Sequence, residues 1–265
     1  MRLAWLTDIH LDFLAEAAIR ALALGVSLER PDAVLLTGDI SVASKLEAHL
    51  LLLESLWEVP TYFVLGNHDF YGGSFASARA IAEGLLEVAP GLRWLERAGV
   101  VSLTSKTALV GHDGWADARA GDPDDASVKM RDWSVIDDLK DLDAQARREA
   151  LRTLGDRAAE HLAAHLPRAF SDHDEVIVAT HPPLFVRACR YLGFQSPPRW
   201  LPHLVCAAAG EVVQRAAADH PDKRILCLAG HTHGRARERI AENLRAWTGS
   251  ARYGAPELQR IIDVT

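Results

Sequence analysis

Cysteine is scarce in this chain: Cys189, Cys206 and Cys227 are the three among 265 residues, an odd number with no CxxC spacing. That excludes a disulfide framework and a thiolate metal cage, and leaves the three as small core residues. With no stretch that reads as a signal peptide, a reducing, cytoplasmic setting is expected. Long apolar runs are also missing. The longest, around residues 50–53, falls far short of the roughly 18 uninterrupted apolar residues of a membrane span, so none is expected. Basic charge is not in excess either, since 29 Lys+Arg stand against 36 Asp+Glu for a formal net charge of −7. Long-range attraction to a nucleic-acid polymer is therefore disfavoured. No linker, repeat or shift in composition divides the chain, and residues 1–265 read as a single domain.

What is present is ordinary for a globular chain of this size: 49% hydrophobic and 25% charged residues. Short apolar runs at residues 3–6, 33–36, 61–65, 107–110, 176–179 and 225–229 are aliphatic or β-branched and end in polar residues. Strands buried on both faces of a sheet read this way. Between them, residues 15–28, 45–57, 75–88, 139–166 and 211–218 carry apolar side chains at helical spacing. The alternation predicts an α/β architecture. Residues 243–248 and 258–264 read as antiparallel strands closing a sheet edge. One stretch has no period at all: residues 111–138, GHDGWADARAGDPDDASVKMRDWSVIDD. So long an aperiodic segment within a compact domain predicts an insertion or lid over a site.

Five of the apolar runs end in residues that packing does not explain: Asp8 and His10, Asp39, Asn67 and His68, His181, then His231 and His233. In open α/β sheets ligands bind beyond the carboxyl ends of the strands, so these residues are expected to converge. Residues i and i+2 of an extended segment face the same way, which would pair Asp8 with His10 and His231 with His233. Imidazoles, carboxylates and an amide oxygen form a mixed N/O set suited to Mn, Fe, Zn, Co or Ni. One ion would use about half of them; two ions about 3.5 to 4 Å apart, sharing a carboxylate, would use them all. Isolated histidines such as His49, His161, His165, His173, His203 and His220 read as solvated or capped residues. Chance is a poor account of the set, because Gly-Asn-His-Asp alone would arise in roughly one chain in a thousand.

Asp8-Ile9-His10, Gly38-Asp39, Gly66-Asn67-His68-Asp69, Thr180-His181 and Gly230-His231-Thr232-His233, in that order, resemble the calcineurin-like metallophosphoesterase superfamily. The resemblance implies a four-layer α/β/β/α sandwich with two mixed β-sheets. It implies two metal ions, Mn, Fe or Zn: Asp8, His10 and His233 on the first, Asn67, His181 and His231 on the second, and Asp39 bridging. His68 would contact the phosphate and assist the leaving group as the catalytic residue. The implied activity is hydrolysis of a small or nucleotide-like phosphomonoester or phosphodiester by metal-activated hydroxide. Gly38-Asp39 is followed by Ile40-Ser41-Val42-Ala43 and not by the Gly-Asp-x-Val-Asp-Arg-Gly of the phosphoprotein phosphatases, which points away from protein substrates. The alternative is a non-catalytic metal-binding scaffold on the same fold, expected to have lost ligands. Around the site, Asp69 is expected to orient His68 or cap a helix, and His112 and Asp113 to reach the rim. Trp115, Trp133 and Arg131 would form a wall of the insertion, and Arg235 and Arg237 would contact phosphate.

Overall fold

The computed structural model describes residues 1–125, 127–191 and 193–265. Ala126, inside the expected insertion, lies outside the described residues. The strands are β1 Arg2–Leu6, β2 Ala33–Thr37, β3 Thr61–Val64, β4 Leu92–Trp94, β5 Val101–Ser102, β6 Thr107–Gly111, β7 Glu175–Ala179, β8 Arg190–Tyr191, β9 Phe194–Gln195, β10 Arg224–Ala229, β11 Ala236–Arg239, β12 Leu244–Thr248 and β13 Arg260–Asp263. The helices are α1 Glu16–Leu28, α2 Ala43–Leu56, α3 Phe75–Val88, α4 Leu95–Ala98, α5 Asp132–Val135, α6 Ala144–Asp172 and α7 Ala207–Asp219.

Two mixed sheets result. One has the order β13-β1-β2-β3-β4, the other β11-β12-β10-β7-β6-β5, and β8 with β9 forms a separate hairpin. The apolar runs read as they do because each strand buries both faces. Leu3 and Trp5 of β1 point between the sheets, where they meet Leu109, Ile177, Ala179 and Leu228 of the second sheet. Ala4 and Leu6 point outward under α1, α2 and α3. On the other side, Val176 and Val178 of β7 pack against Ala158, Leu162 and Leu166 of α6 and Val213 of α7. The order of layers is therefore helices, sheet, sheet, helices, as the resemblance implied. Cys189, Cys206 and Cys227 are buried, unpaired thiols.

Two expectations are corrected. Residues 244–248 do not close an edge: β12 runs parallel to β10 and antiparallel to β11, and β11 is the edge strand. Its sequence Ala-Arg-Glu-Arg is exposed on alternate residues and charged, which suits an edge and gives no apolar signal. The long helix starts later than residue 139, because Asp143 caps it by accepting from the backbone N–H of Ala146 at 2.8 Å, and it continues through Pro167 to Asp172 with Ala169 and Phe170 buried. The segment after β6 is aperiodic yet heavily packed. His112 to Ala118 are buried, and Trp115 lies edge-on to Phe70 and Phe75, with centroids 5.7 and 5.0 Å away.

Beside this segment lies a buried polar group. Glu96 of α4 sits 3.5 Å from His112, and Asp113 lies 3.7 Å from Arg79. Burial, then the Asp113 carboxylate, raises Glu96 from its ordinary 4.5 to about 8. Between those two values the folded protein holds a proton that the unfolded chain has lost, so stability falls as pH rises through the window and levels off above it. Glu96→Gln is expected to flatten that fall. Thermal midpoints measured from pH 5 to pH 9 check it, and an unchanged slope would mean that Glu96 does not set it.

Candidate metal centre

The parallel strands β1, β2 and β3 of one sheet, and β7 and β10 of the other, all point their carboxyl ends at one region. The eight residues singled out at the ends of these runs, Asp8, His10, Asp39, Asn67, His68, His181, His231 and His233, sit just beyond them. Backbone hydrogen bonds zip these loops together: the Asp8 N–H donates to the Gly38 carbonyl at 3.0 Å and the His10 N–H to the Asp39 carbonyl at 3.0 Å. On the second sheet, the Gly230 N–H donates to the His181 carbonyl at 2.9 Å.

Convergence does not come from extended segments. Asp8, His10, Asp39, His231 and His233 have φ of 49°, 41°, 52°, 70° and 55°, all in the left-handed region that residues other than glycine rarely adopt. Such strain persists where the surroundings enforce it, and its clustering marks a functional site. The surroundings here include glycines. A Cβ on Gly230 would overlap the side chains of Thr7 and Asp8, and one on Gly66 would overlap Asp39.

Seven side chains form two adjoining groups. Asp8, His10, Asp39 and His233 each offer an atom within 4.8 Å of the others. In this first group His10 Nε2 and His233 Nε2 lie 3.2 Å apart, and His233 Nε2 is 3.4 Å from Asp8 Oδ1. In the second, Asn67 Oδ1 lies 3.1 Å from His181 Nε2 and 2.9 Å from His231 Nδ1. Asp39 belongs to both: Oδ1 is 3.2 Å from His181 Nε2, while Oδ2 is 3.8 Å from His10 Nε2.

The tautomers are set by carbonyls, which can only accept. His181 Nδ1 donates to the Thr37 carbonyl at 2.9 Å, so Nε2 is the nitrogen offered to the centre. His231 Nε2 donates to the His203 carbonyl at 2.9 Å, leaving Nδ1 to face Asn67. Asp8 and Asp39 are each 1% exposed, and carboxylates so deeply buried require positive charge nearby. Burial works to raise Asp39 and to lower His181; the attraction between them outweighs it, holding Asp39 well below the usual carboxylate range and raising His181 to about 10. His10 responds chiefly to burial and is lowered to about 4. A convergent set of nitrogens and oxygens around two buried carboxylates is what divalent cations take, and the residues fit them.

His68 is not among the seven donors, though its ring lies 4.5 Å from that of His10. Its backbone N–H donates to Asp39 Oδ1 at 2.8 Å, while its half-buried ring stacks on Tyr71 at 4.2 Å and places Nε2 3.4 Å from the Tyr253 hydroxyl. Asp69 makes no hydrogen bond to the His68 ring; it caps the short helical turn Asn67–Phe70. Its Oδ2 accepts the Gly66 N–H at 2.7 Å and its Oδ1 the Ile40 and Ser41 N–H groups at 3.0 and 2.7 Å, which locks the Asp39 loop to the Asn67 loop.

The other expected contributors divide between the site and the core. Asp113 accepts from the Leu65 N–H and the Trp94 indole at 2.7 and 2.9 Å, and His112 is buried beside Glu96, so neither reaches the rim. Trp115, packed in the core, and Trp133, which holds Arg147 over its ring at 4.4 Å, both line a small cavity against Asn67, His181 and His231. Arg235 binds Ser250 and Glu257, and Arg237 stacks on Trp247. Arg131 alone of these lines the cleft above the centre, with its guanidinium 5.8 Å from the Tyr71 ring.

Three contributors escaped the sequence reading. Asp132 Oδ1 accepts from Asn67 Nδ2 at 3.0 Å and from the Tyr71 hydroxyl at 2.6 Å, so the Asn67 amide is turned with its oxygen toward the histidines. Burial first, then Asp132, raises the Tyr71 phenol above its ordinary range. Tyr71 carries a faint signal, four residues after Asn67; Asp132, in an aperiodic stretch, carries none. Tyr253, from the turn before β13, puts its ring 4.6 Å from His10 and 5.1 Å from His233. A cleft of ≈ 820 Å³ opens above these groups, with Asp39, Asn67, His68, His231 and His233 at its floor.

Comparison with known proteins follows the same lines. Residues 1–235 match the family model described as calcineurin-like phosphoesterase. The chain overlays on phosphopantetheinyl hydrolase from Mycobacterium tuberculosis with a TM-score of 0.68 at 16% identity, covering 95% of this chain and 89% of that one. It overlays on a dimetal phosphatase from Danio rerio with a TM-score of 0.57 at 16% identity, covering 94% and 87%. At such identity the likeness speaks for the fold. No curated protein matches the chain in sequence.

Proposed function

The chain belongs to the calcineurin-like phosphoesterase family, a phosphoesterase with a metal site, and from that premise we propose a two-ion hydrolase of small or nucleotide-like phosphoesters. The observation that carries the second ion is the division of Asp39, whose two oxygens face different histidines of different groups. Asp8, His10 and His233 would hold one ion and Asn67, His181 and His231 the other, with Asp39 between them. The nitrogen-rich donor set favours Mn, Fe or Zn. When bound, the ions supply Lewis acidity, offsetting phosphate charge and acidifying water.

The remaining chemistry belongs to the chain. His68 Nε2, at the cleft floor beside the Tyr253 hydroxyl, is the group placed to give a proton to the departing oxygen. Asp69 and Asp132 hold the loops and the amide that present the donors. Among the described residues no helix is long and apolar enough to cross a membrane. The bounded cleft and the net charge of −7 favour a small substrate over a nucleic-acid polymer.

The test joins metal analysis to turnover. Protein loaded with Mn, Fe or Zn is expected to carry two equivalents per chain and to hydrolyse bis(p-nitrophenyl) phosphate or p-nitrophenyl phosphate, with chelation removing both. A single equivalent in the fully active protein would overturn the second ion. Bound metal with no turnover on any phosphoester would favour the scaffold alternative, which the presence of all seven donors disfavours.

A further inference from the structure

The wall of the cleft facing the centre carries cations with nothing to pair them. Lys129, Arg131 and Arg199 all line it and are exposed, and among the described residues none has a carboxylate within 4.0 Å or a side-chain hydrogen bond. Some arginines elsewhere pair with carboxylates, as with Arg119 to Asp117 and Asp156, or Arg190 to Glu238, so the cations of this wall are left free for a ligand. Three unpaired cations around one concavity of a chain with net charge −7 make a local field for an anion. Arginine forks suit phosphate in particular. The same wall bears two aromatic rings that packing does not consume: Tyr191 is 58% and Trp200 36% exposed. Flat, exposed rings beside arginines form a stacking platform for a planar group.

These residues come from separate pieces of chain. Lys129 and Arg131 lie in the segment before α5, Tyr191 in the β8–β9 hairpin, and Arg199 and Trp200 just ahead of the turn Leu201–His203, whose His203 carbonyl fixes His231. Arg131 is tied to the floor through the Tyr71 ring, on which His68 stacks. A ligand that reaches the wall and the floor together therefore needs one phosphate at each.

Resting on the phosphoesterase reading above, we infer that the substrate is a nucleotide-like phosphoester with a second phosphate: the scissile one sits at the histidine–aspartate floor, the second on Lys129, Arg131 and Arg199, and the base on Tyr191 and Trp200. The reaction is hydrolysis. A water oxygen forms the new bond to phosphorus as the bond to the leaving oxygen breaks, and the proton that water loses ends on that oxygen.

Two chromogenic probes that differ by one phosphate decide the matter: thymidine 5′-(p-nitrophenyl phosphate) and the same ester carrying a 3′-phosphate. With the metal-loaded protein the 3′-phosphorylated probe is expected to show a KM lower by about tenfold or more, the scale of a charge-assisted contact. Lys129→Ala and Arg199→Ala are each expected to erase most of that difference, while turnover of bis(p-nitrophenyl) phosphate changes less than about twofold and so reports that fold and centre are intact. Equal KM values for the two probes in the unaltered protein would overturn the subsite, as would variants that weaken both probes alike. Hydrolysis of bis(p-nitrophenyl) phosphate alongside such a result leaves the phosphoesterase reading standing, and failure on every ester removes both.

Discussion

Asp39→Asn is expected to lower kcat/KM for bis(p-nitrophenyl) phosphate by at least about 10³-fold and to cost at least one equivalent of metal per chain. The reason is the division of its carboxylate: Oδ1 faces His181 and Oδ2 faces His10, so each oxygen serves a different group. An amide keeps one oxygen and turns an NH₂ toward the other group, removing both a donor atom and a negative charge from a site 1% exposed. Loss of a single preorganised electrostatic contact in an active site already costs about 10²- to 10³-fold. The substitution is a clean one for the fold, because Asp39 has φ 52° and asparagine accepts that region more readily than most residues. Metal content by mass spectrometry, circular dichroism and steady-state rates make the measurement. Two equivalents retained with full activity would remove the bridging role.

His68→Ala is expected to behave differently, keeping both ions while kcat falls about 10²- to 10⁴-fold, the range of a positioned general acid. Its ring packs against His10 at 4.5 Å without being one of the seven donors, and its link to Asp39 is made by the backbone N–H, which alanine retains. The ring does pack on Tyr71, 4.2 Å away, so a thermal midpoint is needed alongside the rate. The effect should shrink for esters with a good leaving group such as p-nitrophenolate, which needs a proton least, and grow for alkyl esters. Loss of metal in this variant would show that His68 is a ligand.

How much of this was legible before any coordinates depends on where the information is stored. The strands were readable because a strand buried on both faces must be apolar throughout, and the donors because they follow those strands within a few residues, as His10 follows β1. The route by which they meet was not: Asp8 with His10 and His231 with His233 were expected to face one way along extended chain, and left-handed turns bring them together instead. Asp and His are enriched among the non-glycine residues that take φ > 0, but residue type alone does not say which of them will. Asp132 was invisible for another reason, since it reaches Asn67 across 65 positions of sequence from a segment without period. The cationic wall was only partly visible: Arg131 stood out in the aperiodic stretch, while Arg199 and Trp200 acquire meaning only once the fold sets them opposite the centre. Edge strand β11 was hidden because an exposed edge is charged, like a loop.

The split of the donors between the two sheets bears on how the protein is made. Translation delivers Asp8, His10, Asp39 and Asn67 first, from β1, β2 and β3, but His181, His231 and His233 arrive only with the second sheet, more than 100 residues later. At about 5–20 residues per second the ribosome holds the oxygen-rich half alone for several seconds or more. Through that interval the nascent chain offers one imidazole among three oxygen donors, a half-set selective for hard ions and weak for all of them. On the proposed two-ion reading the full donor set exists only in the finished chain, and loading would follow synthesis.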